Sequence, residues 1–447
     1  MEPLRGDETP VDPEETGFAT RGRRLDDAPV LAVLSDLDRP TVAWSEGEER
    51  VVAGGAAATL TADGSDRFER VRDAAAALFA GRAVETELPR FARPRLFGGF
   101  AFHERNGDDA GDQWAGFPDA EFVLPEILVA DRDGETWLVA NATGPDAAAD
   151  ASALLDRWAD RIDGFAPLSV SSRPGIASRT YAPDEDGWRR QIEAAVDRIQ
   201  AGTLRKVVLA QALTVELDTS LSVPAAYGRL GATYPECYRF AFAPDGAGWF
   251  FGATPERLVT RRGRTVRTEA LAGSTGRGDT PAEDEWLARE LQDSAKDSHE
   301  HELVVSAIKD QLSPFARSIS TSDRTVKRLA SVQHLQTPIT ADLSEDYHVL
   351  SLVKALHPTP AVGGLPPDEA LRTIRETEVF DRGWYAAPVG WFDAEGDGTF
   401  AVAIRSAVAD GEQATLFAGN GIVGDSDPDR EWEEVQLKYS PILDTLE

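Results

Sequence analysis

Glu431, Glu434 and Lys438 stand at i, i+3 and i+7, so a helix carrying them presents all three on one face. Two carboxylates on one face suit a hard cation such as Mg2+, which takes oxygen ligands and keeps some of its waters. In so acidic a chain the same spacing also fits a solvated acidic face, and spacing alone favours that plainer reading. Glu300 lies in KDSHEHELVV, flanked by His299 and His301. His-Glu-His is not the i, i+4 histidine pair of a helical zinc site, and no cysteine cluster supports one, so zinc is much the weaker reading. A magnesium ion shared by Glu300 and Glu434 requires two helices to converge. Lys206 sits in the apolar run RKVVLAQ. An ammonium drawn out of water releases its proton more readily, which suits a general base; a strand-edge lysine with its head in water is the plainer alternative. Glu256, in GATPERLV, falls between two strand-like stretches, where a carboxyl can be kept protonated as a general acid.

Two glycine motifs do not carry the chemistry they suggest. Gly419, Gly421 and Gly424 form a G-x-G-x-x-G, but the 23 residues after Gly424 are too few for the helix, second strand and ribose-binding acid of a dinucleotide unit. A glycine turn where backbone approaches a ligand remains open. GSTGRG (273–278) lacks the Lys-Ser/Thr of a phosphate-binding loop.

The elements that must position these groups are legible in outline. Trp188, Ile192, Ala195, Val196 and Ile199 fall at helical spacing before Gly202. RKVVLAQALTVEL, CYRFAFAP, GWFFGATPERLVTRR, TVRTEALAGSTGRG, LQTPITADL, GWYAAPVGWFD, TFAVAIRSAV and ATLFAGNG look like strands. One long helix is expected over 283–312, short ones near 349–356 and 367–376, and a closing helix with Asp427 as N-cap and Pro428 at its first position. Upstream, GRAVETELPRFARPRLFGGFAFHE and FVLPEILVADRDGETWLVAN have a sheet-like pattern and DAAADASALLDRWADRI a helical one. The first 17 residues have the charge and proline content of a disordered acidic tail. The Ser/Pro/Gly-rich stretch 168–180 is the expected seam between an N-terminal α+β portion (18–175) and a second portion (176–447), the two forming one compact unit. Strands outnumber those of a doubly wound parallel fold, so the class is α+β with large mixed sheets.

The chain has 447 residues, 42% hydrophobic, with 46 Lys+Arg against 77 Asp+Glu and a net charge of −31. That acidity opposes sequence-independent binding to nucleic acid or anionic membranes, without excluding a local basic pocket. A single cysteine, Cys237, rules out an internal disulfide, and no apolar run reaches the roughly 20 residues of a membrane span. With no signal-peptide pattern, the expectation is a cytoplasmic protein. The lysines are six: Lys206, Lys296, Lys309, Lys327, Lys354 and Lys438. Strong acidity with so little lysine suggests a salt-accumulating cytoplasm, or a GC-rich genome that replaces lysine with arginine.

KVVLAQ (206–211), GATPERLV (252–259), TEALAGSTGRG (268–278), SVQHLQTPI (331–339), LHPTPAVGGLP (356–366), WYAAPVGW (384–391), AVAIRSA (401–407) and AGNGIVGDSDPDREWEEVQLK (418–438) occur in the order found in one family. Over about 180–447 the chain resembles the chorismate-utilising enzymes: the isochorismate, salicylate, anthranilate and aminodeoxychorismate synthases. GGFAFHE and FPDAEFVLPEILV resemble the isochorismate synthases in particular. The resemblance implies mostly antiparallel sheets flanked by helices, as in anthranilate synthase component I. It implies a Mg2+-dependent reaction in which a nucleophile attacks C2 of chorismate as the C4 hydroxyl leaves. Lys206 matches the lysine that activates water, and Glu256 the acid that protonates the departing hydroxyl. Glu300 and Glu434 match the metal ligands, with Glu431 beside them, directly or through water. Arg405 and Tyr385 match groups that hold the enolpyruvyl carboxylate. Lys438, Gly273, Ser274 and Gly419 line the same pocket, and His334 faces the ring.

A few positions choose among products. Ammonia-using members carry Gln where Lys206 stands, so Lys206 implies water as nucleophile. Ala272 replaces the nucleophilic lysine common in the aminodeoxychorismate type, which argues against a covalent intermediate. Ala361 matches the isochorismate type, whereas salicylate synthases tend to carry Thr. Gln211 departs from an arginine common in the family. The expectation is therefore an isochorismate synthase serving menaquinone synthesis, with chorismate as its small-molecule partner and a monomer as the default state. Salicylate synthase, a siderophore-pathway isochorismate synthase, an anthranilate or aminodeoxychorismate synthase component, and a non-catalytic chorismate-binding relative are the alternatives.

Overall fold

The computed structural model describes residues 17–26, 28–84, 87–104, 112–170, 172–329 and 332–447. Apart from Gly17, the expected acidic tail lies outside the described residues.

Among the described residues the β-branched and aromatic runs pair into two sheets, one of 13 strands and one of 10. Both are built from both portions of the chain. In the larger sheet Thr41–Glu46 pairs antiparallel with Tyr238–Ala243, and in the smaller one Arg95–Phe100 pairs antiparallel with Pro388–Asp393. Among the described residues one pairing is parallel, Phe18–Leu25 with Arg82–Val84. The strand Ile176–Ala182 begins inside the expected seam, yet the portions on either side share both sheets and one apolar core. Class and strand direction therefore follow the sequence expectation.

The helices form where polar caps precede apolar spacing. Asp184 Oδ1 accepts the Gly187 N–H at 2.8 Å and starts Glu185–Gln200, which buries Trp188, Ile192 and Ala195. Asp427 Oδ1 accepts the Arg430 N–H at 3.1 Å, and Pro428 opens the closing helix Pro428–Leu443. The helix expected over 283–312 is two helices, Pro281–Asp293 and Ala295–Leu312. Ser294 separates them. Its backbone turns extended (ψ 115°) and its Oγ accepts the Asp297 N–H at 3.2 Å, so one residue ends the first helix and caps the second. Among the described residues no helix is long and apolar enough to cross a membrane.

Side-chain contacts also join the two portions. The Trp114 ring stacks on Phe417 at 5.3 Å and 18°, and Phe102 lies under the Arg382 guanidinium at 4.3 Å.

Candidate active site

Two segments expected as single strands each divide where the chain passes from one sheet to the other. Trp249–Thr254 belongs to the larger sheet and Arg257–Arg262 to the smaller, with Pro255 and Glu256 at the crossing. Gly398–Val402 belongs to the smaller sheet and Ser406–Asp410 to the larger, with Arg405 at that crossing. The crossings run side by side: Val402 N–H donates to Glu256 O at 3.0 Å, and Ala253 N–H donates to Arg405 O at 3.2 Å. Arg405 adopts φ +55° and Ala386 φ +58°, left-handed backbone uncommon outside glycine. Leaving both ladders here turns Glu256 and Arg405 into the space between the sheets and the flanking helices.

That space is a cavity of about 230 Å3, sized for a single small ring. All thirteen residues expected at the site border it. Lys206, first in Lys206–Leu217, donates from Nζ to Glu300 Oε1 at 2.5 Å, with side chains 8% and 22% exposed. Gly421 makes room for this pair, since a Cβ there would lie 2.8 Å from Lys206 Cε. On the closing helix Lys438 Nζ reaches Glu434 Oε1 at 2.8 Å, Gly419 O at 2.9 Å and Asn420 Oδ1 at 2.7 Å. Asn420 Nδ2 donates to Glu431 Oε2 at 2.9 Å. Gly419 and Gly421 thus lie inside the strand Gln413–Ile422, at the cavity wall.

Other walls are set by local backbone and packing. Gly273 (φ +77°) is the extra residue of a bulge between Ala272 and Ser274, and the bulge brings Ser274 Oγ within 2.7 Å of His334 Nδ1. Tyr385 stacks on Phe417 at 5.3 Å and 25°, and its hydroxyl would stand 3.2 Å from a Cβ at 419. Ala361, Val362 and Ile404 supply apolar wall.

Charge in the cavity is strongly perturbed. Burial, reinforced by Glu269, pushes the Glu256 carboxyl up to about 7, while Lys206 and Lys327 pull the other way. Lys438 holds Glu434 below the usual carboxylate range, and burial raises Glu431. Burial, and after it the cations Arg405, Lys438 and Lys327, push His334 down to about 3, so it faces the cavity as a neutral imidazole. Burial also lowers Arg405 and raises Tyr385. Among the described residues no side-chain hydrogen bond or ion pair holds the Arg405 guanidinium, which leaves its planar fork for an anion.

The donor set matches a magnesium ion in kind. Glu300, Glu431 and Glu434 come from two helices and line one cavity, all with oxygen. Among the described residues no three acidic, His or Cys groups converge tightly enough to enclose a metal. Mg2+ is commonly held by one or two carboxylates, with water and ligand oxygens completing its shell.

Several neighbours escape sequence reasoning. Asp297 also borders the cavity, one turn before Glu300 on the same helix, and its i−3 spacing is a signal that was available. Arg382 pairs with Glu378 at 2.5 Å and donates to Val208 O and Val362 O, tying the Lys206 strand to the Ala361 wall. Gln211 is fully buried and structural: Nε2 donates to Pro183 O at 2.8 Å, and its own carbonyl accepts the Tyr439 hydroxyl at 3.0 Å.

The model of the family described as chorismate binding enzyme matches residues 15–447. The chain is 40% identical over 432 residues to the salicylate biosynthesis isochorismate synthase of Pseudomonas aeruginosa, covering 94% of this chain and 88% of that one. It is 37% identical over 357 residues to isochorismate synthase MenF of Bacillus subtilis, covering 79% and 74%. The solved structure of MenF, the menaquinone-specific isochorismate synthase from Escherichia coli, is similar with a TM-score of 0.80 at 28% identity, covering 97% and 95%. Anthranilate synthase component I from Streptococcus pneumoniae shares the fold, with a TM-score of 0.72 at 21% identity over 99% and 95%.

Proposed function

The chain belongs to the chorismate binding enzymes, and we propose that it is an isochorismate synthase, interconverting chorismate and isochorismate with Mg2+ in the service of menaquinone synthesis. The observation that carries this reading is a lysine and a carboxylic acid, Lys206 and Glu256, bordering one small cavity with the two acidic helices.

Water adds at C2 as the C4 hydroxyl leaves, so one water enters, one departs and the ring double bonds shift. Lys206 activates the incoming water. Glu256, raised to about 7, carries the proton that turns the departing hydroxyl into water. The substrate is a dianion, and Arg405 offers a bidentate fork for the enolpyruvyl carboxylate, with Tyr385 beside it. Lys438 adds a compact positive charge next to Glu434. His334, neutral and tied to Ser274, faces the ring without adding charge. Bound Mg2+ supplies electrostatic stabilisation and a template for the ring carboxylate, with Glu300 and Glu434 as its ligands and Glu431 beside them. In an otherwise acidic protein these groups gather positive charge where a dianion must rest.

Lys206 in place of Gln supports water over ammonia, Ala272 supports a route without a covalent intermediate, and Ala361 supports isochorismate over salicylate. The composition supports a cytoplasmic enzyme of a salt-accumulating cell. The test is chromatography of the products from chorismate and Mg2+ at several salt concentrations. Isochorismate as the main product is expected. Salicylate with pyruvate, an ammonia-dependent aminated product, or a folded protein with no turnover in molar salt each refutes the assignment.

A further inference from the structure

One partly buried ion pair grips Glu256 from both sides. Lys327 Nζ donates to the carbonyl of Pro255 at 2.8 Å and to Glu269 Oε1 at 3.2 Å. The same Oε1 accepts the Arg257 N–H at 3.4 Å, and Gln336 Nε2 donates to Glu269 Oε2. The residues immediately before and after Glu256 therefore both bond to the pair. Three adjacent strands supply its members: Thr265–Gly276 gives Glu269, Thr325–Arg328 gives Lys327 and Val332–Leu343 gives Gln336. The side chains are 20% exposed at Lys327 and 5% at Glu269, and neither borders the cavity. A carboxylate buried beside another carboxyl is costly unless it is paired and hydrogen-bonded, as Glu269 is by Lys327, Gln336 and the Arg257 N–H.

Building on Glu256 as the acid that protonates the leaving hydroxyl, we propose that Glu269 and Lys327 are positioning residues: through the Pro255 carbonyl and the Arg257 N–H they fix Glu256 at the sheet crossing. The groups facing Glu256 are Glu269, Lys206 and Lys327, the Thr359 hydroxyl and, across the cavity, Tyr385. Only Glu269 among the charged ones favours the neutral acid; both lysines favour the carboxylate.

The test follows the carbonyl stretch of protonated Glu256 by infrared difference spectroscopy from about pH 5 to about 9, the band being assigned by its loss in Glu256→Gln. Glu269→Gln is expected to lower the titration midpoint by about one pH unit, and to lower kcat above neutral pH several-fold with little change in KM. Glu269→Asp, which keeps the charge, restores most of both. A midpoint unmoved in Glu269→Gln, or moved equally by Gln and Asp, overturns the proposal. If Glu269→Gln does not fold, Lys327→Gln carries the test: losing a cation must raise the midpoint, and a fall or no change overturns the proposal. The spectrum needs no turnover, so an inactive wild-type enzyme refutes isochorismate synthesis while the positioning role still stands or falls on the titration.

Discussion

The Lys206 ammonium and the Glu300 carboxylate meet at 2.5 Å although 94 positions separate them. One opens the strand next to an edge of the larger sheet and the other lies in the second turn of the helix capped by Ser294. The residue assigned to activate water and a residue assigned to hold the metal are thus each other's partners, so variants at either must be judged for what they do to both.

Replacing Lys206 by Ala is expected to lower kcat about 100- to 10,000-fold while KM changes only a few-fold, because the base matters chiefly in the transition state. Steady-state kinetics on a variant with wild-type circular dichroism decides it. Unimpaired kcat removes Lys206 from the mechanism.

Stability should report the same pair. Glu300→Gln leaves Lys206, with its side chain 8% exposed, without its counter-charge, and the expected cost is about 1–3 kcal/mol, kept modest because Glu300 is 22% exposed. Adding Lys206→Met removes the orphaned ammonium, so the double variant should be less destabilised than the sum of the singles by about 1 kcal/mol or more. Urea denaturation of the three variants gives the coupling directly, and strict additivity argues that the pair is not energetically real.

Much of this arrangement is legible in one dimension. Caps, helical spacing and strand alternation are local, so Asp427, Pro428 and the 428–443 helix are where the pattern puts them. The split at Ser294 was less legible, because apolar spacing runs through it and only the serine side chain competes with the backbone. The sheet crossings at Glu256 and Arg405 were illegible for a different reason: strand propensity continues on both sides, and what changes is the partner sheet, a long-range fact. The same holds for Glu269 and Lys327, whose meaning depends on three strands lying next to one another.

The acid role of Glu256 has a definite pH signature. Its carboxyl is neutral below about 7, so kcat/KM should lose about tenfold per pH unit above that value while staying level just below it. Stability has its own sign. The native state keeps this proton up to about 7 whereas an unfolded glutamic acid releases it near 4.5, so the Glu256 contribution to stability is greatest below 4.5 and declines as pH rises to 7. Glu256→Gln should abolish turnover and flatten that slope. A steep slope surviving in the Gln variant would assign the titration to another group.

Metal binding separates the acidic face of the closing helix from a merely solvated one. Glu434→Gln should weaken Mg2+ binding by about tenfold or more in calorimetry with the protein alone, and Glu431→Gln by less, since Glu300 and Glu434 are proposed as the ligands and Glu431 stands beside them. Unchanged Mg2+ affinity in Glu434→Gln returns that face to the solvated reading.

Salt tests the composition. A net charge of −31 drives self-repulsion across the folded surface. The screening length falls from about 10 Å at 0.1 M to about 3 Å at 1 M, which silences repulsion between surface carboxylates but hardly touches partly buried pairs such as Lys206–Glu300. Thermal stability should therefore rise monotonically with KCl into the molar range. A charge-neutralising set of surface Asp→Asn changes far from the cavity should raise stability at low salt and erase most of the salt dependence. Attraction of the dianionic substrate to the cavity is also screened, so KM should increase with salt even as the fold grows firmer. An enzyme whose melting temperature is flat or falls with KCl would show that its acidity reflects codon usage alone, and that its lysines are few for reasons unconnected with solvent.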